Sequence, residues 1–214
     1  MGIKAPLSGS MVEFANPPAS MEVIKYTYFS RKLVGAQAVN WPSETQFFTD
    51  QVGVAGATAR DTNLQKPNTL ASNPNKFLGQ FINCTMYNTV SSVTSVTPVT
   101  ATPGLLTDIN QVIMQTYLRM ELMSKEYLTV PTYHVPAGGG LWAPGLLAQV
   151  GTGGVNGEPT HRNAYACEIP FERETTLVFK MINANIAGAS TAIITVNALY
   201  VEMAITGLLM RPRQ

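Results

Sequence analysis

The sequence predicts an all-β fold, a single jelly-roll-like antiparallel β-sandwich with long loops. Several segments alternate apolar and polar residues with a period of two, which is the signature of strands with one buried face. About eight such segments can be counted, the number of strands in a two-sheet jelly roll. Turn-rich connections separate them, and no segment shows a sustained helical period with clear caps.

The strand candidates follow one another along the chain. They cover residues 23–29, 44–54, 76–87, 112–122, 127–135, 164–171, 176–181 and 193–205. The Leu, Met and Glu content of residues 112–122 would also suit a helix with Thr107 or Asp108 as N-cap, but the nearly unbroken alternation favours a strand. The last segment is apolar on both faces, so we expect it to be covered on both sides.

The connections divide the chain into an N-terminal arm and one domain. Residues 1–20, which contain Pro17 and Pro18, are interpreted as an extended arm that lies along an adjacent subunit, with a frayed terminus as the alternative. Residues 21–214 are predicted to form a single jelly-roll domain, because no repeat or compositional break requires a second one. The Thr/Ser-rich run 89–102 fits an edge strand, an exposed loop or a short linker.

The charge content is low. Only 13% of residues are charged, with 14 Lys and Arg against 13 Asp and Glu, where about 25% is typical of soluble proteins. A net charge of +1 and the lack of a polybasic arm argue against autonomous nucleic-acid binding, so we expect at most weak contact with a packaged genome. No classical export signal and no window of about 18 uninterrupted apolar residues is present, so no transmembrane segment is expected.

The two cysteines, Cys84 and Cys167, are too few for a disulfide scaffold. Either they form one disulfide, or both are buried free thiols, which suits assembly in a reducing cytosol. The sequon at Asn83 lies inside an apolar strand pattern and is interpreted as chance.

The residues that usually carry catalysis are scarce. His134 and His161 are the two histidines, and no G-x-S-x-G motif accompanies them. A zinc site from these histidines and both cysteines would lack the close ligand spacing of such sites. Glu172 and Glu174 are expected on one face of a solvated strand end rather than as a glycosidase pair. The runs 138–140 and 151–157 do not match phosphate loops. We therefore expect no enzyme activity, no metal and no cofactor.

From Tyr117 onward the chain resembles a family of small virion structural proteins of bacterial viruses. The matching segments are Leu118-Arg119-Met120-Glu121-Leu122, Ser124-Lys125-Glu126-Tyr127-Leu128, Val135-Pro136-Ala137-Gly138-Gly139-Gly140-Leu141, Asn156-Gly157-Glu158-Pro159 and Gly207-Leu208-Leu209-Met210-Arg211-Pro212-Arg213-Gln214. The resemblance implies a jelly-roll capsid or capsid-associated protein of a tailless icosahedral bacteriophage. It covers about the C-terminal half and implies no catalytic residues.

These observations predict a protein that assembles with copies of itself and with other virion proteins. A major capsid protein is the first interpretation, located in the virion and assembled in the host cytoplasm. The alternative is a vertex or receptor-binding, lectin-like module on a virion or cell surface. Candidate interface residues are Pro17 and Pro18 in the arm, and Leu141 and Trp142 after three glycines. Leu141 and Trp142 would either anchor a neighbour or plug the open end of the sandwich. The low charge further predicts that much of the exterior is interface.

Overall fold

The computed structural model describes residues 9–34, 42–88, 112–135, 141–142, 155–156, 165–172, 174–183 and 199–213. Within these ranges the strands are β1 (Met21–Val34), β2 (Glu44–Phe47), β3 (Lys76–Asn88), β4 (Thr116–Leu122), β5 (Lys125–Pro131), β6 (Leu141–Trp142), β7 (Val155–Asn156), β8 (Tyr165–Phe171), β9 (Leu177–Asn183) and β10 (Leu199–Pro212). A seven-residue helix, α1 (Gly9–Ala15), precedes them, and a 3₁₀ turn spans Thr132–His134.

The eight longer strands form two four-stranded antiparallel sheets packed against each other. Sheet 1 has the order β1-β10-β3-β8 and sheet 2 the order β2-β9-β4-β5. The first of these strands pairs with the last, the second with the second to last, and so inward to β4 and β5. This is one long hairpin ribbon rolled into two layers, which is the jelly-roll arrangement. The predicted fold class is therefore confirmed.

The core lies between the two sheets, where every second side chain points inward. β4 and β9 both alternate strictly between buried and half-buried residues. Leu118, Met120 and Phe179 of sheet 2 join Met203 and Ile205 of sheet 1 in one buried cluster. At about 25 cal/mol for each Å² of apolar surface removed from water, this layer is the main stabilising contribution to the fold.

Two glycines allow β10 and β3 to approach closely. Gly207 pairs with Gly79, next to a register shift in both ladders of β3. A Cβ on Gly207 would lie 1.9 Å from the Leu78 carbonyl oxygen, far inside van der Waals contact. The absence of a side chain at this position is thus required by the backbone packing.

Several predicted strands have different ends, and three of these differences have a local structural cause. β2 stops at Phe47 rather than at residue 54, because Phe48 has a φ of 61° that turns the chain out of the sheet while its ring stays buried. Residues 112–115 are helical, so the predicted strand begins at Thr116 and Met114 is 59% exposed instead of pointing inward. β5 ends at Pro131, where the 3₁₀ turn begins.

The expectation that the last strand is covered on both sides is wrong for most of β10. Its residues alternate between buried and half-buried positions up to Leu209, because one face packs on sheet 2 while the other faces outward. Residues 193–198 of the predicted strand lie outside the described residues.

The prediction of an extended N-terminal arm is also wrong for Gly9–Ala15, because these residues form α1. Phe14 is buried on the outer face of sheet 1 against Leu78 and Met210, and Lys76 forms an ion pair with Glu13. A helix this short is marginal alone, so its packing on the sheet stabilises it. None of the helices within the described ranges is long and apolar enough to cross a membrane.

Candidate subunit-interface surfaces

A β-sandwich has two open sides, where the edge strands of its two sheets lie. On the first side β1 and β2 are in contact, and residues 58–64 run along the outer edge of β1. The Arg31 amide donates to the Asp61 carbonyl at 2.7 Å, and the Phe29 amide donates to Asn63 Oδ1 at 3.0 Å. The middle of the β1 edge, at residues 27–31, is therefore paired within the chain, which protects that part from adding a further strand.

An ion pair between Arg31 and Asp61 holds residues 58–64 against the edge of β1. Arg31 donates to the Asp61 carboxylate and its guanidinium lies 4.5 Å above the Tyr200 ring. The Thr58 hydroxyl donates to the other Asp61 oxygen at 2.7 Å. Together with the backbone amide of Thr58, these hydrogen bonds from Thr58 and Arg31 lower the pKa of Asp61 to about 2. The first side is thus closed by charge-assisted contacts.

The second side, which we call the β5–β8 opening, is different. A groove of about 360 Å³ lies there between the two edge strands. Its lining comes from the end of β4, the turn to β5, β5 itself and the segment after β8: Leu122, Met123, Lys125, Tyr127, Pro170, Glu172 and Thr175. Met123 is 75% exposed and Tyr127 43% exposed. Large apolar side chains are thus presented to solvent beside a cleft whose lining combines apolar, polar and charged residues.

The turn at this opening has an unusual sequence. Met123 and Ser124 form the two-residue connection between β4 and β5, with φ values of 49° and 66°. Two positive φ values indicate a type I′ turn, for which Asn-Gly is the preferred pair. The Met123 amide donates to the Thr176 carbonyl at 3.0 Å, which ties the turn to the connection between β8 and β9. A methionine is therefore held at the tip in a conformation that it rarely adopts.

Two charged side chains border the groove on opposite sheets. Lys125 belongs to β5 of sheet 2, and Glu172 directly follows β8 of sheet 1. Neither forms an ion pair with another residue in the described part of the chain, although the Lys125 amine lies 5.4 Å from the Tyr127 ring centroid.

The outer face of sheet 2 shows the contrasting arrangement. Lys180 binds Glu44 at 3.0 Å, and Arg119 binds Glu121 at 2.7 Å and Glu126 at 3.3 Å. Glu44 with Lys180 and Arg119 with Glu126 pair across neighbouring strands, and Arg119 with Glu121 pairs along β4, as is typical of a solvated sheet face.

The interface residues expected from the sequence lie elsewhere. Leu141 and Trp142 form β6, which pairs with β7 in a two-stranded ribbon, and β7 lies close to β3. Pro17 and Pro18 connect α1 to β1, and the Met21 amide donates to the Pro18 carbonyl at 2.8 Å. The proposed roles of these four residues stay predictions.

The β5–β8 opening is a surface that the sequence did not predict. The turn at Met123-Ser124 has a recognisable signal, because two alternating runs separated by two residues predict a hairpin. The groove itself has no such signal, since β5 and β8 are far apart along the chain and become neighbours only through the rolled ribbon.

Both cysteines are free thiols, which decides between the two alternatives left open by the sequence. Cys84 is fully buried on β3, and burial together with the nearby Glu202 charge raises its pKa. Cys167 is half-buried, and burial raises its pKa to about 11. Both thiols are therefore protonated at neutral pH and poor nucleophiles.

The remaining candidates for chemistry are not brought together. Glu172 and Glu174 do not share a strand face, because β8 ends at Phe171 and Glu174 sits in a turn with a φ of 59°, paired with Lys66. His134 is exposed at the end of the 3₁₀ turn, and His161 lies outside the described residues. Among the residues that the structure describes, no three His, Cys, Asp or Glu side chains form a metal-binding group.

Comparison with protein-family models, with curated proteins and with solved structures finds no match to this chain.

Proposed function

We propose that this protein is a structural subunit that assembles with copies of itself into a closed icosahedral shell, most simply as the major capsid protein of a virion. The observation that carries the proposal is the β5–β8 opening, where Met123 and Tyr127 are exposed around a groove of about 360 Å³. Exposed apolar groups of this size beside a cleft are typical of surfaces that become buried against another protein.

The fold supports this kind of assembly. Jelly-roll sandwiches form viral capsids, but they also form lectin and cupin domains, so the fold alone does not select the function. The low charge content adds a second argument, because a subunit whose exterior is largely interface needs few charges to stay soluble. The resemblance of residues 117–214 to virion structural proteins agrees with both.

The chain's partners in this proposal are further copies of itself and other virion proteins. Contact with a packaged genome would be weak, because the described basic residues are scattered and most are paired with carboxylates. Virion location and assembly in the host cytoplasm follow from the proposal and need no catalytic group or cofactor.

Sedimentation velocity of the purified protein across salt and divalent-ion concentrations tests this function. We expect a large species with one uniform sedimentation coefficient. The fraction of the protein in this species should increase with protein concentration. A trimer that never enlarges would favour the alternative, a vertex or receptor-binding module. A monomer at every concentration and condition would contradict self-assembly.

A further inference from the structure

We propose that the β5–β8 opening binds the same opening of a second copy of this chain across a two-fold axis. This inference rests on the proposed function and names one of the surfaces through which the subunits meet. In such an isologous contact the same patch occurs on both partners, so each residue pair forms twice.

The first argument is the placement of the charges. Lys125 lies on the sheet 2 side of the groove and Glu172 on the sheet 1 side, and neither has an ion-pair partner among the described residues. A two-fold rotation through the groove places the Lys125 of each copy near the Glu172 of the other. The patch is therefore complementary to itself in charge, and two like patches attract instead of repelling.

The second argument is the apolar centre. Met123 and Tyr127 line the same groove as the buried Leu122, the half-buried Pro170 and the two charged side chains. Aromatic residues and methionine are enriched in the centres of protein interfaces, with charged groups at the rim. Met123 of one copy can enter the groove of the other, because a flexible unbranched side chain adapts to an irregular cleft.

Met123 also adopts a conformation and an exposure that are energetically unfavourable in a single subunit. Its positive φ and its exposure are both unfavourable in an isolated subunit, and Asn would fit the type I′ turn better. Strained residues of this kind cluster at functional sites, where the observed conformation serves a contact. Burial of Met123 against a second copy would offset its exposure.

Other surfaces fit a second copy less well. The middle of the β1 edge, at residues 27–31, is already covered by residues 58–64, and the charges on the outer face of sheet 2 are paired with one another. The outer face of sheet 1 carries α1 at one end.

Charge reversal tests the contact directly. Lys125→Glu and Glu172→Lys each place like charges together in a self-associated pair, so we expect each variant alone to weaken self-association at least tenfold. A mixture of the two variants restores both ion pairs between unlike copies. We therefore expect the mixture to associate nearly as tightly as the wild type, and association of the mixture to weaken with salt.

Lys25→Glu, on the exposed part of β1, is the matched control and should leave association unchanged. Rescue by mixing distinguishes a contact between copies from one within a chain, because an intrachain pair would be restored only by the double variant. Wild-type assembly together with single variants that assemble normally would overturn this inference and leave the proposed function standing. A wild type that stays monomeric would overturn both.

Met123→Asn separates association from folding. Because Asn is preferred at this turn position, we expect a denaturation midpoint equal to or above that of the wild type, measured below the association concentration. We expect association to weaken at least tenfold. Unchanged association, or a loss of association that occurs only together with unfolding, would contradict the role of Met123.

Discussion

At the scale of single residues, Gly207 shows most directly how the backbone restricts the sequence. Gly207→Ala would place a Cβ 1.9 Å from the Leu78 carbonyl oxygen, so β10 and β3 must separate. We expect a loss of at least about 3 kcal/mol in the free energy of unfolding, measured by urea denaturation.

Thr129→Ala on the exposed face of β5 is the control for this substitution, and it should change the free energy of unfolding by less than about 0.5 kcal/mol. Equal stability of the Gly207→Ala variant and this control would show that the close approach of the two strands is not required.

Asp61 makes the free energy of unfolding depend on pH. Its pKa is about 2 in the folded chain against an ordinary value of 3.8, so the charged carboxylate favours folding. The contribution is fully present above about pH 4 and is lost as the pH falls towards 2. We expect the stability difference between the wild type and Asp61→Asn to be largest near neutral pH and to shrink over that window. A difference that stays constant from pH 6 to pH 2.5 would contradict the role of the Thr58 and Arg31 hydrogen bonds.

The two thiols should differ in accessibility but share low reactivity. At pH 8 the raised pKa values leave few thiolates, so a disulfide reagent should modify Cys167 slowly and Cys84 only after unfolding. The Cys167→Ser variant isolates the second reaction. Rapid modification of that variant in its folded state would show that Cys84 is not buried.

At the scale of elements, α1 depends on one side chain. Phe14 is its buried contact with Leu78 and Met210, whereas Val12 is exposed. We expect Phe14→Ala to cost about 1.5–3 kcal/mol and to remove hydrogen-exchange protection from residues 9–15, while β3 and β10 stay protected. Val12→Ala should leave this protection in place. Protection that survives Phe14→Ala would mean that other contacts hold the helix.

Most strands were predictable from period-two alternation, because one face of each strand is buried between the sheets. The alternation of Thr116, Leu118, Met120 and Leu122 identified β4 correctly. The ends of strands were less predictable: Phe48 continues the apolar pattern, but its positive φ ends β2. The helix α1 was missed because its stability comes from packing on sheet 1, which a seven-residue sequence pattern does not reveal.

At the scale of the whole molecule, the two open sides of the sandwich differ in how far they are covered by other residues of the chain. On the side at β1, residues 58–64 cover the middle of the edge strand and are held there by the Arg31–Asp61 pair. The β5–β8 opening exposes Met123 and Tyr127 between two charges without ion pairs among the described residues. This asymmetry could not be predicted from the sequence, because it depends on which distant strands become neighbours. Such a difference in exposure suits a subunit whose copies contact one another at one particular side.

Negative-stain electron microscopy of the concentrated protein shows whether these subunits assemble into a closed shell, as we propose. We expect closed particles of one uniform diameter, and we expect them to be lost in Lys125→Glu and Glu172→Lys but not in Lys25→Glu. Micrographs that show only single subunits, at every salt and divalent-ion concentration tried, would contradict assembly into a closed shell.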